Sequence, residues 1–487
     1  MYMSKYKILN TTLLIAISAL FFASCNDWLE LEPEDNVIRQ EFWKSEQQVH
    51  SFTMGLYGKL LDESFAERLF YWSELRGDGL VLNNFITYNI YRILNSDITA
   101  DNSIFKWDAF YSSINQCNIL IEYAKEAADK DITFTEDELK KYEAEAYGLR
   151  ALLYFYLVRS FGEVPLMLDA VVDDQVDLFI PKSSQADLLT QINNDLDTAR
   201  KYAAKDYNND LYNKGRLTKY GIDAIFADYY LWTDQYEKCL EVCDEIINSH
   251  RYGLVSGNNW LQEIFIEGNS NESIFELQFS VNKPNPFYMF FNESPGYFLA
   301  SPYIMELYSG ADVRGDSATF YGNAGVIYKY MALSAEEDLR RSESNYEANW
   351  IFYRYAEVLL MKAEALNELD RGAEAISLVN KIQARAGAVL TSADASDDNA
   401  IRDMILLERR KELAYEGKRW YDVLRNAKRD NYAYKSILIE MIESYAPADL
   451  VDLVKSKYSD PLSHYFPIYY EELEVNYELE QNEYYLR

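Results

Sequence analysis

A chain of 487 residues that is 49% apolar and 26% charged has ordinary globular composition, and at ~150 residues per domain it holds about three domains' worth of material. Its net charge of −32 repels phosphate backbones, which excludes nucleic acid as a general partner and weighs against polyanionic ligands. The 42 tyrosines supply rings that stack through their faces and hydrogen-bond through their hydroxyls, at binding surfaces or between helices.

Residues 1–24 read as a secretion signal, with Lys5 and Lys7 as its basic region. The run Ile8 to Phe22 is interrupted by Asn10, Thr11 and Thr12, and is too short and too polar for a span of ~20 apolar residues. It ends in Phe22-Ala23-Ser24-Cys25, which resembles a bacterial lipobox, with Phe22 where an aliphatic residue is usual. Cys25 is therefore the expected lipidation site. Several acyl chains at ~0.8 kcal/mol per buried CH₂ make attachment effectively permanent. Residues 25–36, acidic and turn-forming and including Trp28, read as a tether. The other cysteines, Cys117, Cys239 and Cys243, are too few and odd in number for a disulfide framework. Cys239 and Cys243 share a helix face, and buried small hydrophobes are expected there.

Apolar residues at Phe42, Val49, Phe52, Leu56 and Leu60 predict a helix over 41–61. A segment dense in Gly, Asn and Tyr, about 62–103, reads as loop. Helical patterns return at 104–130, 135–161 and 184–205. In 217–249, Ala227 and Cys239 stand twelve apart, with Tyr236 three before Cys239; in 351–387, Ala363 and Ala375 repeat the spacing. Tetratricopeptide hairpins place small residues this way, where two helices meet. Between the pairs, Ser273–Ser280 alternates like a short strand. An excursion rich in Pro, Asn and aromatics, about 281–300, follows it and reads as a structured functional loop. Asp394–Asn399 reads as a solvated acidic turn, since its spacing matches no EF-hand loop. The expected fold is all-α: a scaffold of tetratricopeptide-like hairpins over 37–487, with a loop-rich face and minor short strands.

Catalytic motifs are scarce. The three histidines, at 50, 250 and 464, form no metal-ligand pair, and no GxSxG, P-loop or GxGxxG occurs. Acidic pairs arise by chance at this composition, so none is singled out as a glycosidase dyad. The Arg-Gly-Asp triplets at 76–78 and 314–316 read as polar loops. Glu408, Glu412, Glu416 and Arg419 share one face if the segment is helical. With Arg150 and Arg409 they are expected to lock helices by buried ion pairs, each costing ~3–5 kcal/mol if one partner is removed.

Four segments together resemble the SusD/RagB family: Arg150 through Leu166 (RALLYFYLVRSFGEVPL), Tyr353 through Ala365 (YRYAEVLLMKAEA), Glu408 through Asp422 (ERRKELAYEGKRWYD), and the tail with Pro467-Ile468, Glu474, Asn476 and Gln481-Asn482. Asp312-Val313-Arg314 matches a further site common in that family. Tyr469 and Glu483 depart from its usual prolines, affecting only a terminal turn. The resemblance implies a surface-exposed outer-membrane lipoprotein without catalysis or cofactor. It would bind oligosaccharides, or peptides as RagB-like members do, and pass them to a SusC-like TonB-dependent transporter. A carbohydrate-active enzyme is the contrasting reading. Sugar recognition needs flat rings and polar side chains in a concave site. Trp43, Trp107, Trp232, Trp260, Trp350 and Trp420 fall in helical patterns or motifs and are expected in the core. Trp72 is left over, in the polar segment with Tyr71, Asp78, Asn83, Tyr88, Tyr91 and Arg92. These, with Phe287, Tyr288 and Tyr297 of the excursion, are the candidate ligand contacts, and no metal ligand is expected.

Overall fold

In the computed structural model, residues 42–83, 86–172, 176–294 and 296–486 are described; the expected signal, Cys25 and the tether lie outside them. Helix α1 (Glu46–Leu60) is followed by α2 (Glu63–Glu74), strand β1 (Leu80–Leu82) and the short α3 (Tyr88–Leu94). The long helices α4 (Asp108–Lys130), α5 (Glu136–Phe161) and α6 (Gln185–Tyr202) then pack in sequence. Helix α5 starts at a capping box: Thr135 accepts the Glu138 N–H, and the Glu138 carboxylate accepts the Thr135 N–H at 2.9 Å. A glycine, Gly148, lets the next segment close on α5, since a Cβ there would lie 2.9 Å from a Leu217 methyl. Arg150 of α5 clamps Asp195 of α6 through two bonds of 2.7 and 2.8 Å.

The spacing-predicted hairpins form. Helices α7 (Lys219–Trp232) and α8 (Tyr236–Asn248) pack together, with Ala227 and Cys239 fully buried. Helices α11 (Tyr355–Asn367) and α12 (Gly372–Arg385), named here ahead of two short helices described below, do the same around Ala363 and Ala375. Gly372 is required at that turn because a Cβ would sit 2.3 Å from the Ala395 carbonyl oxygen. Cys239 and Cys243 are buried with their sulfurs 4.0 Å apart, as small core hydrophobes. Helix α11 is preceded by a strand, β4 (Trp350–Arg354), where the spacing predicts continuous helix; it pairs antiparallel with β2 (Ser273–Leu277). Every residue of both strands is buried, so a two-stranded ribbon runs through helical surroundings.

Charge fills the core beyond these hairpins. Arg354 bonds Glu272 (3.1 Å), Glu412 (2.6 Å) and Glu416 (2.8 and 2.9 Å). Arg314 bonds Asp312, Glu408 and Glu412 at 2.6–2.9 Å. These acids do lock elements together, but not from one helix. Helix α13 (Asp398–Glu412) ends at Glu412; Tyr415 and Gly417 take positive φ, and α14 begins at Arg419. Gly417 has no substitute there: at φ +72°, a Cβ would meet the Trp350 ring at 2.7 Å. The break turns Arg419 away from the Glu408–Glu412 network and towards Asp78. Helices α15 (Lys435–Tyr445) and α16 (Val451–Tyr458) complete the fold before the tail.

Candidate ligand-binding cleft

The two segments read as loops are more ordered than expected, and they meet. The first contains α2, β1 and α3; the second contains α9 (Phe287–Phe291) and β3 (Phe298–Ala300), with α10 (Pro302–Met305) just beyond. Strand β1 pairs antiparallel with β3 through Leu80–Ala300, Val81–Leu299 and Leu82–Phe298. Ser301 extends the junction: its N–H donates to the Gly79 carbonyl (2.9 Å) and its hydroxyl to the Asp78 carbonyl (2.6 Å). The same hydroxyl caps α10, whose Pro302 stands in the first turn where a missing N–H costs nothing. That turn carries Tyr303 outward, 42% exposed.

The inner face of the Tyr303 ring is held by Arg410, with the guanidinium carbon 3.7 Å from the ring centre. Arg410 pairs with Asp78 at 2.9 Å, and Arg419 grips the same carboxylate through bonds of 2.8 and 3.0 Å. Burial lowers the Arg410 guanidinium to about 10, with Asp78 opposing and Arg419 reinforcing the fall; it stays charged at neutral pH. Beneath, the fully buried Glu74 accepts the backbone N–H groups of Gly417 and Lys418, yet burial raises its carboxyl to about 8.

Around Tyr303 the surface opens into a cleft of about 390 Å³, walled by β1, by Leu94 and Asn95 at the end of α3, by Ser301–Tyr303, and by Ser444, Tyr445 and Pro447. A second lobe of about 170 Å³ adjoins it through Asp78, Tyr303 and Ser444, and reaches Asp403, Leu406, Leu407, Arg410, Arg419 and Glu440. Aliphatic side chains line most of the larger lobe, with the Tyr303 and Tyr445 rings among them; the ionic groups gather in the smaller one. The arrangement offers a stacking platform on a fixed cation, hydroxyl and carboxylate acceptors, and apolar walls. Among the described residues no group of His, Cys, Asp and Glu is placed to hold a metal ion.

The expected contact residues fall into three sets. Three are core. Trp72 is a helical residue with no exposed surface: its indole N–H donates to the Ile104 carbonyl (2.9 Å) and its ring stacks on Phe110 at 4.5 Å. Tyr71 packs on Phe290 at 5.1 Å, and Phe287 lies between Tyr330 and Trp350. As ligand contacts these three are corrected, because their rings are already covered by protein. Three are held as supports: Asp78 by its two arginines, Arg92 by Asp97 and Asp101, and Asn83 by the Tyr297 carbonyl (2.9 Å) to its N–H and by donation to the Glu293 carbonyl (2.9 Å). The last four present surface. Tyr88 is 71% and Tyr91 46% exposed, on the α3 stripe that leads to Asn95 in the cleft wall. Tyr288 and Tyr297 are half-buried, Tyr288 against Tyr346 with ring centres 4.3 Å apart. Of the ten, only Asp78 lines the cleft itself. Tyr303, Arg410 and Tyr445 were missed. Tyr303 lies three residues beyond the aromatic excursion, and Ser301-Pro302 before it is a helix-start signal that would have flagged an ordered, outward turn. The expectations for the other tryptophans hold: Trp107, Trp232, Trp260, Trp350 and Trp420 are all buried.

Stacked α-hairpins carrying an open, ring- and hydroxyl-lined cleft define a helical scaffold protein with a ligand-sized depression on its irregular face. Residues 292–485 match the model described as SusD family, and residues 27–231 match one described as "Starch-binding associating with outer membrane". A SusD-like protein, P38, of Formosa agariphila is 29% identical, over 88% of this chain and 93% of the relative. A SusD-like protein of Bacteroides ovatus is 26% identical, over 85% of this chain and 81% of its own. Among solved structures, a SusD superfamily protein from Bacteroides vulgatus superposes with a TM-score of 0.76 at 22% identity, covering 91% of this chain and all (100%) of the other. The surface glycan-binding protein A from Bacteroides uniformis gives 0.73 at 23% identity, covering 90% and 100%. The chain belongs to the SusD/RagB family. That family is known for glycan binding and for association with the outer membrane.

Proposed function

We propose that this protein captures oligosaccharides at the outer face of a bacterial outer membrane, without cleaving them, and passes them to a SusC-like TonB-dependent transporter. Acylation of Cys25 would hold the body to the membrane; no described helix is long and apolar enough to cross one. The observation that carries the reading is Tyr303, an exposed ring fixed on Arg410 at the junction of two open lobes. A ring immobilised before the ligand arrives loses little entropy on binding, so its stacking is retained as affinity. Several such contacts with hydroxyl hydrogen bonds give micromolar binding, about −8 kcal/mol. Tyr88 and Tyr91 extend the aromatic surface beyond the cleft wall. Support also comes from the family membership.

Calorimetry against a panel of oligosaccharides, with product analysis of each mixture, is the test. Saturable binding that Tyr303→Ala weakens, with no hydrolysis, is expected. Turnover of any glycan would replace capture by catalysis. Binding of peptides and of no glycan would move the protein to the peptide-binding side of the family. The transporter step is tested by co-purification with the transporter expressed alongside it, and loss of membrane attachment in Cys25→Ser tests the anchor.

A further inference from the structure

The cleft is lined by more acid than base, three carboxylates against two guanidiniums. In the smaller lobe two guanidiniums share one carboxylate: Arg410 and Arg419 converge on Asp78, both largely covered, with the Tyr303 ring over the Arg410 plane. Two more carboxylates face the same lobe, Asp403 from α13 and Glu440 from α15, both exposed. Among the described residues no basic side chain forms an ion pair with either, although Arg402 lies close enough to act on Asp403. Arg402 turns to Asn399 (2.6 Å) and Glu368 (3.1 Å), with its guanidinium over the Tyr434 ring, and Lys435 donates to the Ser459 carbonyl (3.2 Å). The larger lobe adds no cation; its only charged side chain is Asp78.

We infer that Asp403 and Glu440 determine specificity: the cleft admits neutral or amino-bearing sugar rings and rejects carboxylated or sulfated ones. The inference rests on the capture reading above. Carboxylates accept from sugar hydroxyls and, more strongly, from ammonium groups, but have nothing to donate to an anion. A carboxylated ring in this lobe would meet two exposed carboxylates, while the guanidiniums lie covered against Asp78, and discrimination built on repulsion needs no extra contact with the accepted ligand. The net charge of the chain adds a long-range field of the same sign.

The experiment is calorimetry with matched sets of oligosaccharides of one length and linkage: a neutral member, its uronic-acid counterpart and its amino-sugar counterpart. Each is titrated into the wild type, Asp403→Asn/Glu440→Gln and Tyr303→Ala. For any set whose neutral member binds, the uronic-acid member is expected to bind at least about tenfold more weakly, a difference of about 1.4 kcal/mol. The gap should close as ionic strength rises from about 0.01 to 1 M, where the screening length falls from about 30 to 3 Å. The double variant, changed only at exposed helix positions, should lose most of the gap. An acidic member that binds the wild type as well as the neutral one overturns the inference while leaving capture standing. So does a gap that survives unchanged in the double variant. If no member of any set gives saturable heat, the capture reading falls and takes the inference with it. Loss of neutral binding in Tyr303→Ala places the signal in this cleft; its retention overturns the assignment of specificity to these residues.

Discussion

Glu412 and Asp78 are both buried carboxylates gripped by arginines, one within the core and one at the cleft. Glu412 accepts from Arg314, Arg354 and Arg385, and behind it lie Glu272, Glu408 and Glu416, all buried. Asp78 accepts from Arg419 and forms an ion pair with Arg410, and in front of it lies open cleft. The same pairing chemistry thus does two jobs. In the core, mutual compensation between elements far apart in sequence fixes their relation, because each partner left alone would be a bare charge in a poor dielectric. At the cleft, one buried pair fixes a cation whose outer face supports a ring, so the order of the core is carried to the surface at Tyr303. If this contrast is right, removing charge from the first region should unfold the protein, whereas removing the ring from the second should spare the fold and weaken binding.

The largest effect is expected on the core side. Glu412→Ala leaves three guanidiniums short of their shared partner and should cost ~3–5 kcal/mol in chemical denaturation. Glu412→Gln, which keeps the volume, should cost nearly as much; a loss below about 1 kcal/mol in both would mean that packing and not charge holds this region. Trp72→Ala should fall in the same range, ~3–5 kcal/mol, because it opens a cavity beside Phe110 and Phe161. Affinity measured on the folded fraction should not change. A selective loss of binding would restore Trp72 to the ligand site.

Acid should strike the core next. His464 is buried among Trp420, Tyr432 and Tyr458, with Nε2 2.9 Å from the Tyr458 carbonyl oxygen, and burial lowers it to about 4. Below pH 6.5 the unfolded chain takes up a proton that the folded chain refuses until about pH 4. Stability is therefore full above pH 6.5 and falls through this window, by about 3 kcal/mol for a shift of this size. Glu364, held well below the ordinary carboxylate range against its burial by Arg425 and Arg429, adds stability that is present above pH 4.5 and is lost further into acid. Glu74 opposes His464: raised to about 8, it favours the folded state on the acid side of that value. Denaturation of wild type and His464→Gln between pH 7 and about 4 isolates the histidine in the difference between the two curves: relative to the wild type, the variant should gain stability as pH falls from 6.5 to about 4. Equal slopes would remove His464 from the account.

Much of this architecture was legible in the sequence because it depends on local spacing. Ala227 with Cys239 and Ala363 with Ala375 announce two hairpins, since small residues at a fixed interval are what close helix contact requires. The charged motif 408–422 announced buried ion pairs, but not the break after Glu412, because the spacing of Glu408, Glu412, Glu416 and Arg419 fits one helical face and hides the positive-φ turn at Tyr415 and Gly417. The site was harder. Trp72 was assigned to a loop from the polar residues after it, although Phe65, Leu69 and Trp72 already follow helical spacing, and all three are buried. Tyr303 looks unremarkable in sequence. Its role arises from Arg410 and Asp78, respectively 107 residues after it and 225 before it. No periodicity reports a contact between segments that distant, and the β1–β3 ladder that brings them together is only three residues long.

The smallest effect is the sharpest test of the contrast. Tyr303→Ala removes a ring that is 42% exposed and packs on the Arg410 guanidinium. By the rule for surface positions, stability should move by no more than about 0.5 kcal/mol. Affinity should fall about tenfold: loss of a stacked pair contributes ~0.5–1.5 kcal/mol beyond area, and loss of the apolar face adds to it. Tyr303→Phe should keep nearly all of the affinity, since the ring and its seat on Arg410 survive, whereas Tyr303→Leu should behave like alanine despite its bulk. Tyr88→Ala, on the exposed α3 stripe, should lose less than Tyr303→Ala, because no cation holds its ring as closely; Arg92 lies 5.5 Å from it, against 3.7 Å for Arg410 under Tyr303. Should the two alanine variants lose equal affinity, exposure and not a fixed seat would be what makes a ring count, and the link drawn here between the buried pair at Asp78 and binding in front of it would break.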